Sequence, residues 1–179
     1  MNALRLGPSC ILAGVMLLSA YALAQQDAQK DQPPPSAVVK IEPIRGNRVN
    51  GTLTLDQTGQ GVSVKGTLNG LTPGKHGLHV HAGRSCKDRG GHYHPGNAPH
   101  GAPNTPDDKH HLGDLGNAVA GEDGTAQYSG VAKNVSLTGT NSIAGRVLVV
   151  HQGEDDLVSQ PSGNSGEQIG CGVIKVMGQ

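Results

Sequence analysis

The sequence contains no phenylalanine, no tryptophan and only three tyrosines, so its core has to be filled by Val, Leu and Ile. Long helical apolar periodicity is missing as well, while glycine is abundant at 28 residues, and together these favour an all-β domain with many turns. No charge of one sign dominates. Lys plus Arg and Asp plus Glu number 14 each, and no basic stripe interleaves with aromatics, which argues against nucleic acid as a partner. There is no general-base triad and no phosphate loop. The one long apolar run, residues 11–22, is too short and too quickly followed by polar residues to be a membrane span.

That run, preceded by Arg5 and followed by Ala22-Leu23-Ala24 and Gln25-Gln26-Asp27, has the layout of a cleavable secretory signal over residues 1–24. The expected mature chain is exported, to a periplasm or an extracellular space, and keeps no stable membrane span. Without the leader, Cys86 and Cys171 are the only thiols. An even pair in an exported chain is read as a disulfide.

Residues 25–36, QQDAQKDQPPPS, are polar and proline-rich and predict a disordered or extended tether. A single domain follows over 37–179. Strand-like segments are expected at 37–43, 49–55, 62–68, 77–82, 118–120, 125–132, 144–151 and 172–177, separated by turn signals such as Thr72-Pro73-Gly74 and Glu122-Asp123-Gly124. Eight short strands predict a Greek-key β-sandwich or flattened barrel. The stretches 83–116 and 152–170 are too long to be idle connections, and long loops of this kind carry function.

Against these absences stand nine histidines, eight of them between His76 and His111 and the last at His151. Alternation along a strand sends His79 and His81 to one face and Leu78 and Val80 to the other. Two imidazoles on one face are half of a four-ligand nitrogen site, which suits Cu(II) or Zn(II). Taken alone, a His-x-His pair more often belongs to a solvated surface.

The motifs carry the reading further. Gly74-Lys75-His76-Gly77-Leu78-His79-Val80-His81, Gly91-His92-Tyr93-His94-Pro95, His100-Gly101, His111-Leu112-Gly113-Asp114-Leu115-Gly116-Asn117, Gly145-Arg146-Val147-Leu148-Val149-Val150-His151 and Cys171-Gly172-Val173-Ile174 resemble, in order, signature segments of the copper/zinc superoxide dismutases. In this respect the chain is similar to exported bacterial members. The resemblance implies dismutation of superoxide to oxygen and hydrogen peroxide by a redox-cycling copper beside a structural zinc. It implies copper ligands His79, His81, His92 and His151, with His92 bridging to a zinc held also by His100, His111 and Asp114. It further implies that Asp155 links a copper ligand to a zinc ligand by hydrogen bonds, and that Cys86 pairs with Cys171.

His110 competes with His111, but the His-x-x-Asp register favours His111. His94 is expected to be a solvated loop histidine, and His76 to lie near the copper without binding it. One position departs from the family. Where an arginine usually guides superoxide, three residues before the second cysteine, this chain has Gln168 after Glu167, and 152–170 contain no Lys or Arg. Gln168 donates a hydrogen bond but carries no charge, so anion attraction there falls and the expected rate with it. Arg84, Lys87 and Arg89 are the candidates for a positive rim. The alternative function is a non-enzymatic copper/zinc-binding module of the same fold. A homodimer is compatible with the sequence, which does not distinguish a surface strand from an interface strand.

Overall fold

A computed structural model describes residues 33–178 of the chain. The expected signal peptide over 1–24 and all of the expected tether before Pro33 lie outside the described residues. Ser36, assigned to the tether by composition, already belongs to the first strand.

The strands are β1 (Ser36–Pro43), β2 (Asn50–Thr58), β3 (Gly61–Asn69), β4 (Gly74–His81), β5 (Asp114–Ala120), β6 (Ala126–Lys133), β7 (Val147–His151), β8 (Gln168–Val173) and the two-residue β9 (Lys175–Val176). They pair in the order β5-β4-β7-β8-β1-β2-β3-β6, with β9 beside β1, and every pair is antiparallel. The passages from β3 to β4 and from β6 to β7 skip neighbours, as Greek-key connections do. The two end strands are drawn together where the Tyr128 hydroxyl donates to the Leu115 carbonyl at 2.8 Å. The result is the all-β, nearly closed barrel that the turn spacing predicts. Among the described residues no helix is long and apolar enough to cross a membrane.

Alternation builds the interior mainly from aliphatic side chains, with Tyr93 and Tyr128 its aromatic members: Val39, Ile41, Leu53, Leu55, Val64, Leu68, Leu78, Leu148 and Val150 are fully or almost fully buried in the same cluster. Burying such a side chain contributes roughly 1.5–3 kcal/mol. Strand β7 is buried on both faces. Leu148 and Val150 point inward, while Val147 and Val149 join a small outer cluster with Cys171, Ile44 and Cys86. That outer cluster is the floor on which the long loops rest.

Strand β8 starts at Gln168, inside the stretch read from sequence as loop. The reason is steric. A Cβ at Gly170 would lie 2.6 Å from Val49 Cγ1, and one at Gly172 would lie 2.3 Å from the Lys40 carbonyl oxygen. Glycine, a turn signal in the sequence, here permits close approach of β8 to β1.

Candidate metal centre

Two strands and the first long loop deliver the histidines to the outer wall of the barrel. On β4, Leu78 and Val80 enter the core, so His79 and His81 face outward, opposite Val149 and Val147 of β7. His151 ends β7. His92 comes from the loop after β4, which folds back on that strand: Ala82 N–H donates to the Gly91 carbonyl and Tyr93 N–H to that of Val80, both at 2.8 Å. The Arg146 guanidinium lies 3.8 Å over the Tyr93 ring and holds the return in place.

The buried side chains of His79, His81, His92 and His151 bring one potential ligand atom each within 4.8 Å of one another. His79 Nδ1, His81 Nε2, His92 Nε2 and His151 Nε2 are buried and have no hydrogen-bond partner. Three of these rings are oriented by their other nitrogen. His79 Nε2–H donates to Asp155 Oδ2 at 2.7 Å, His81 Nδ1–H to the Gly90 carbonyl at 2.8 Å, and His151 Nδ1–H to the Gly166 carbonyl at 3.1 Å. Each donation fixes the tautomer and leaves the inward nitrogen as a lone pair. Buried polar atoms are ordinarily satisfied, and a set of converging lone pairs is what a cation would satisfy.

Electrostatics agree. Burial lowers the pKa of His81 to about 3, with mutual repulsion from His92, His151 and His79 adding to it. Burial likewise lowers His151 to about 3. His92 falls to about 4, burial outweighing the hydrogen bond and charge of Asp114. These rings are neutral at pH 7 and need lose no proton to bind a metal.

A second cluster shares His92. Its Nδ1 lies 2.7 Å from Asp114 Oδ1 and 3.4 Å from His111 Nδ1, and His111 Nδ1 lies 3.3 Å from the same oxygen. His100 Nδ1 is 3.1 Å from Asp114 Oδ2 and has no hydrogen-bond partner. Metal–nitrogen and metal–oxygen distances of about 2.0–2.2 Å around a tetrahedral zinc separate its ligands by roughly 3.3–3.5 Å. The separations of 3.1, 3.3 and 3.4 Å lie near that value, and the 2.7 Å between His92 and Asp114 is a hydrogen-bond distance shorter than it. His79 also comes within 4.8 Å of His92, His100 and Asp114. Its Nε2 is bonded to Asp155 and its Nδ1 is among the unpartnered nitrogens of the first cluster, while His111 stands beside His92 and Asp114.

Burial disfavours the ionised Asp114, yet the neighbouring imidazoles of His100, His111 and His92 prevail and hold its pKa far below the usual carboxylate range. On His100, burial opposes protonation, but Asp114 and Asp155 prevail and raise it to about 9. Asp155 connects the clusters, accepting from His79 Nε2 through Oδ2 and from His100 Nε2 through Oδ1 at 2.8 Å.

The remaining histidines stay outside both sets. His110 is buried but turns its Nδ1 to the Pro106 carbonyl at 3.1 Å. His94 is exposed and stacks on His111 with ring centroids 4.7 Å apart. His76 lies beneath the site, donating from Nδ1 to the His151 carbonyl at 2.9 Å. Cys86 and Cys171 form the disulfide, which ties the first loop to β8. Gln168 pairs with His151 across the β7–β8 ladder and lines the cleft above His81, His92 and His151.

Sequence reasoning missed the residues that hold the second loop. The Asn117 amide grips Asp155, donating to its carbonyl at 2.9 Å and accepting from its N–H at 2.8 Å. Gln160 does the same for His100. Gly163, at φ +67°, passes so close that a Cβ would sit 1.9 Å from Asp155 Oδ1.

Compared with known families, residues 49–174 match the model of one described as copper/zinc superoxide dismutase (SODC).

Proposed function

Because the chain belongs to the copper/zinc superoxide dismutase family, we propose that it dismutes superoxide to oxygen and hydrogen peroxide with copper at the first cluster and zinc at the second. Copper would be held by His79, His81, His92 and His151, and zinc by His92, His100, His111 and Asp114. Copper supplies one-electron redox chemistry, two superoxides giving one oxygen and one peroxide in turn, while zinc, which has no redox chemistry, supplies fixed charge and order.

The observation that carries this reading is the convergence of four unpartnered imidazole nitrogens, with one ring presenting its second nitrogen to the neighbouring cluster. Forming hydrogen peroxide from two superoxides consumes two protons, and His92 Nε2 is placed to hold one of them. Asp114 at the other ring nitrogen favours the protonated form, against the burial that opposes it. Asp155 keeps His79 and His100 in register on either side, so the two clusters hold their separation while His92 exchanges its proton.

The uncharged Gln168 at the cleft favours one other reading, a copper/zinc-binding module without catalysis. Superoxide consumption by the metal-loaded protein, with metal analysis of wild type and His92→Ala, decides between them. Loss of activity in His92→Ala supports the enzyme. Full metal loading without superoxide consumption in wild type leaves the binding module, and zinc uptake without copper overturns both. The disulfide supports an oxidising compartment, and we place the protein outside the cytoplasm, in a periplasm or extracellular.

A further inference from the structure

Position 168 is uncharged, and the second loop brings no cation to the cleft. Cations stand instead in the adjoining recess, which Arg45 and Arg89 line together with Gly166, Glu167 and Gln168. Arg89 Nε–H donates to Gln168 Oε1, and its Nη1 donates to the Cys86 carbonyl. Gln168 itself lines the cleft with His81, His92 and His151. The next residue, Gly90, accepts the hydrogen bond that orients His81. Arg89 is therefore three residues from His92 in sequence and one side chain from the cleft in space.

The backbone beneath it is fixed. Gly83 N–H donates to the Arg89 carbonyl at 2.7 Å, and the disulfide anchors Cys86 to β8. Guanidinium carries five N–H donors in a planar fork. With Nε and one Nη1 proton engaged, no hydrogen bond is made by Nη2 among the described residues, and the charge is only partly exposed. The other two candidates for a positive rim do not reach this place: Arg84 donates to the Ala144 carbonyl, and exposed Lys87 makes no hydrogen bond with the described residues. Arg45 and Glu167 share the recess with Arg89 and Gln168, so the local charge is mixed rather than cancelled.

We propose that Arg89 is the residue that receives a small monoanion at the edge of the cleft, in the recess that shares Gly166 and Gln168 with it, and that Gln168 is a positioning residue whose side-chain oxygen holds the guanidinium there. Gln168 thus acts as an acceptor that an arginine at that position could not be. The proposal rests on the dismutase reading for the identity of the anion as superoxide, but not for the existence of an anion site.

The test is an azide titration of wild type, Arg89→Gln, Arg89→Lys, Gln168→Met and, as a control, Arg84→Gln. Two readouts are followed: the visible band of the copper- and zinc-loaded protein, and the Arg89 Nε–H resonance of protein loaded with zinc alone, which has no turnover. Charge-assisted hydrogen bonds are about twice as strong as neutral ones, so Arg89→Gln is expected to weaken azide binding about tenfold or more. Arg89→Lys should retain the salt dependence but lose part of the affinity, and Gln168→Met should weaken binding while broadening the Arg89 resonance. Arg84→Gln should match wild type. Equal azide affinity in wild type and Arg89→Gln, or no azide binding by wild type, overturns the proposal. Arg89-dependent azide binding without superoxide consumption overturns the dismutase reading alone, whereas superoxide consumption indifferent to Arg89 overturns this inference alone.

Discussion

The Gln160 side chain and the His100 backbone hold each other in both directions, the amide oxygen accepting from His100 N–H at 2.8 Å and the amide nitrogen donating to its carbonyl at 2.9 Å. This pair joins the two long loops at the second cluster. Gln160→Ala removes both bonds, and a typical net contribution of about 0.5–1.5 kcal/mol each gives an expected loss of roughly 1–3 kcal/mol. Urea unfolding measures it, and hydrogen exchange at His100 N–H should accelerate in parallel. Unchanged exchange there would contradict the role assigned to Gln160.

Asp155 touches one histidine from each cluster, so its removal is expected to be felt by both. Loss of such an outer partner typically lowers metal affinity about 10–100-fold. Asp155→Ala should show a decrease of that size at both sites in chelator competition. A decrease confined to one site would refute the coupling.

Acid and base should both weaken the metal-free protein. His81, His92 and His151 have pKa values lowered by burial to about 3, 4 and 3. Below pH 6.5 the unfolded chain takes up protons that the folded one refuses, so stability falls as pH decreases toward those values. Asp114 and Asp155, held low despite their burial, add to this loss once pH drops through the ordinary carboxylate range. His100 has the opposite sign. Its pKa of about 9 means that the folded state keeps a proton the unfolded one releases, and stability declines as pH rises from 6.5 to 9. One uncompensated proton corresponds to about 1.4 kcal/mol per pH unit. Urea midpoints in a chelator should therefore peak near pH 6.5, and a plateau from pH 5 to 9 would falsify the assignment.

The disulfide spans a sequence separation of 85, and closing a loop of that length contributes about 4–5 kcal/mol in the chain-entropy treatment. Replacing both cysteines by serine is expected to lower stability by an amount of that order. Calorimetry of the metal-free double variant checks it, with the first loop melting before the barrel.

Gly163→Ala combines a left-handed backbone, φ +67°, with a Cβ aimed at Asp155 Oδ1. The backbone alone costs about 1–2 kcal/mol. The clash should also displace Asp155, so the variant is expected to lose affinity at both clusters, as chelator competition will show. Gly59, which has no neighbour within 4 Å of a Cβ, is the control and should tolerate alanine.

Much of the site is legible in the sequence because its spacing has one geometric meaning. Alternation on a strand puts His79 and His81 on the same outward face, and the His-x-x-Asp register selects His111 over His110, which indeed turns to Pro106. The strands were visible wherever Val, Leu and Ile alternate. The start of β8 was not, because Gly170 and Gly172 look like turn residues until the approach of β1 explains them. Asn117, Gln160 and Gly163 were hidden for another reason. Their partners lie 38 and 60 residues away for the two amides, and neither an amide on a strand, as Asn117 is on β5, nor an amide or glycine in a polar loop signals so distant a partner. Arg89 is visible in the sequence only as one of three candidates for a positive rim, since nothing in the string distinguishes a tethered guanidinium from a free one.

The placement of His79 and His81 on the outer side of the wall, back to back with Leu78 and Val80, separates two properties that many enzymes must trade against each other. An ion bound there never meets the hydrocarbon that keeps the strands together. Swapping one aliphatic for another inside should therefore shift the melting point and leave the colour of the copper-loaded protein alone, while edits to the loops should do the reverse.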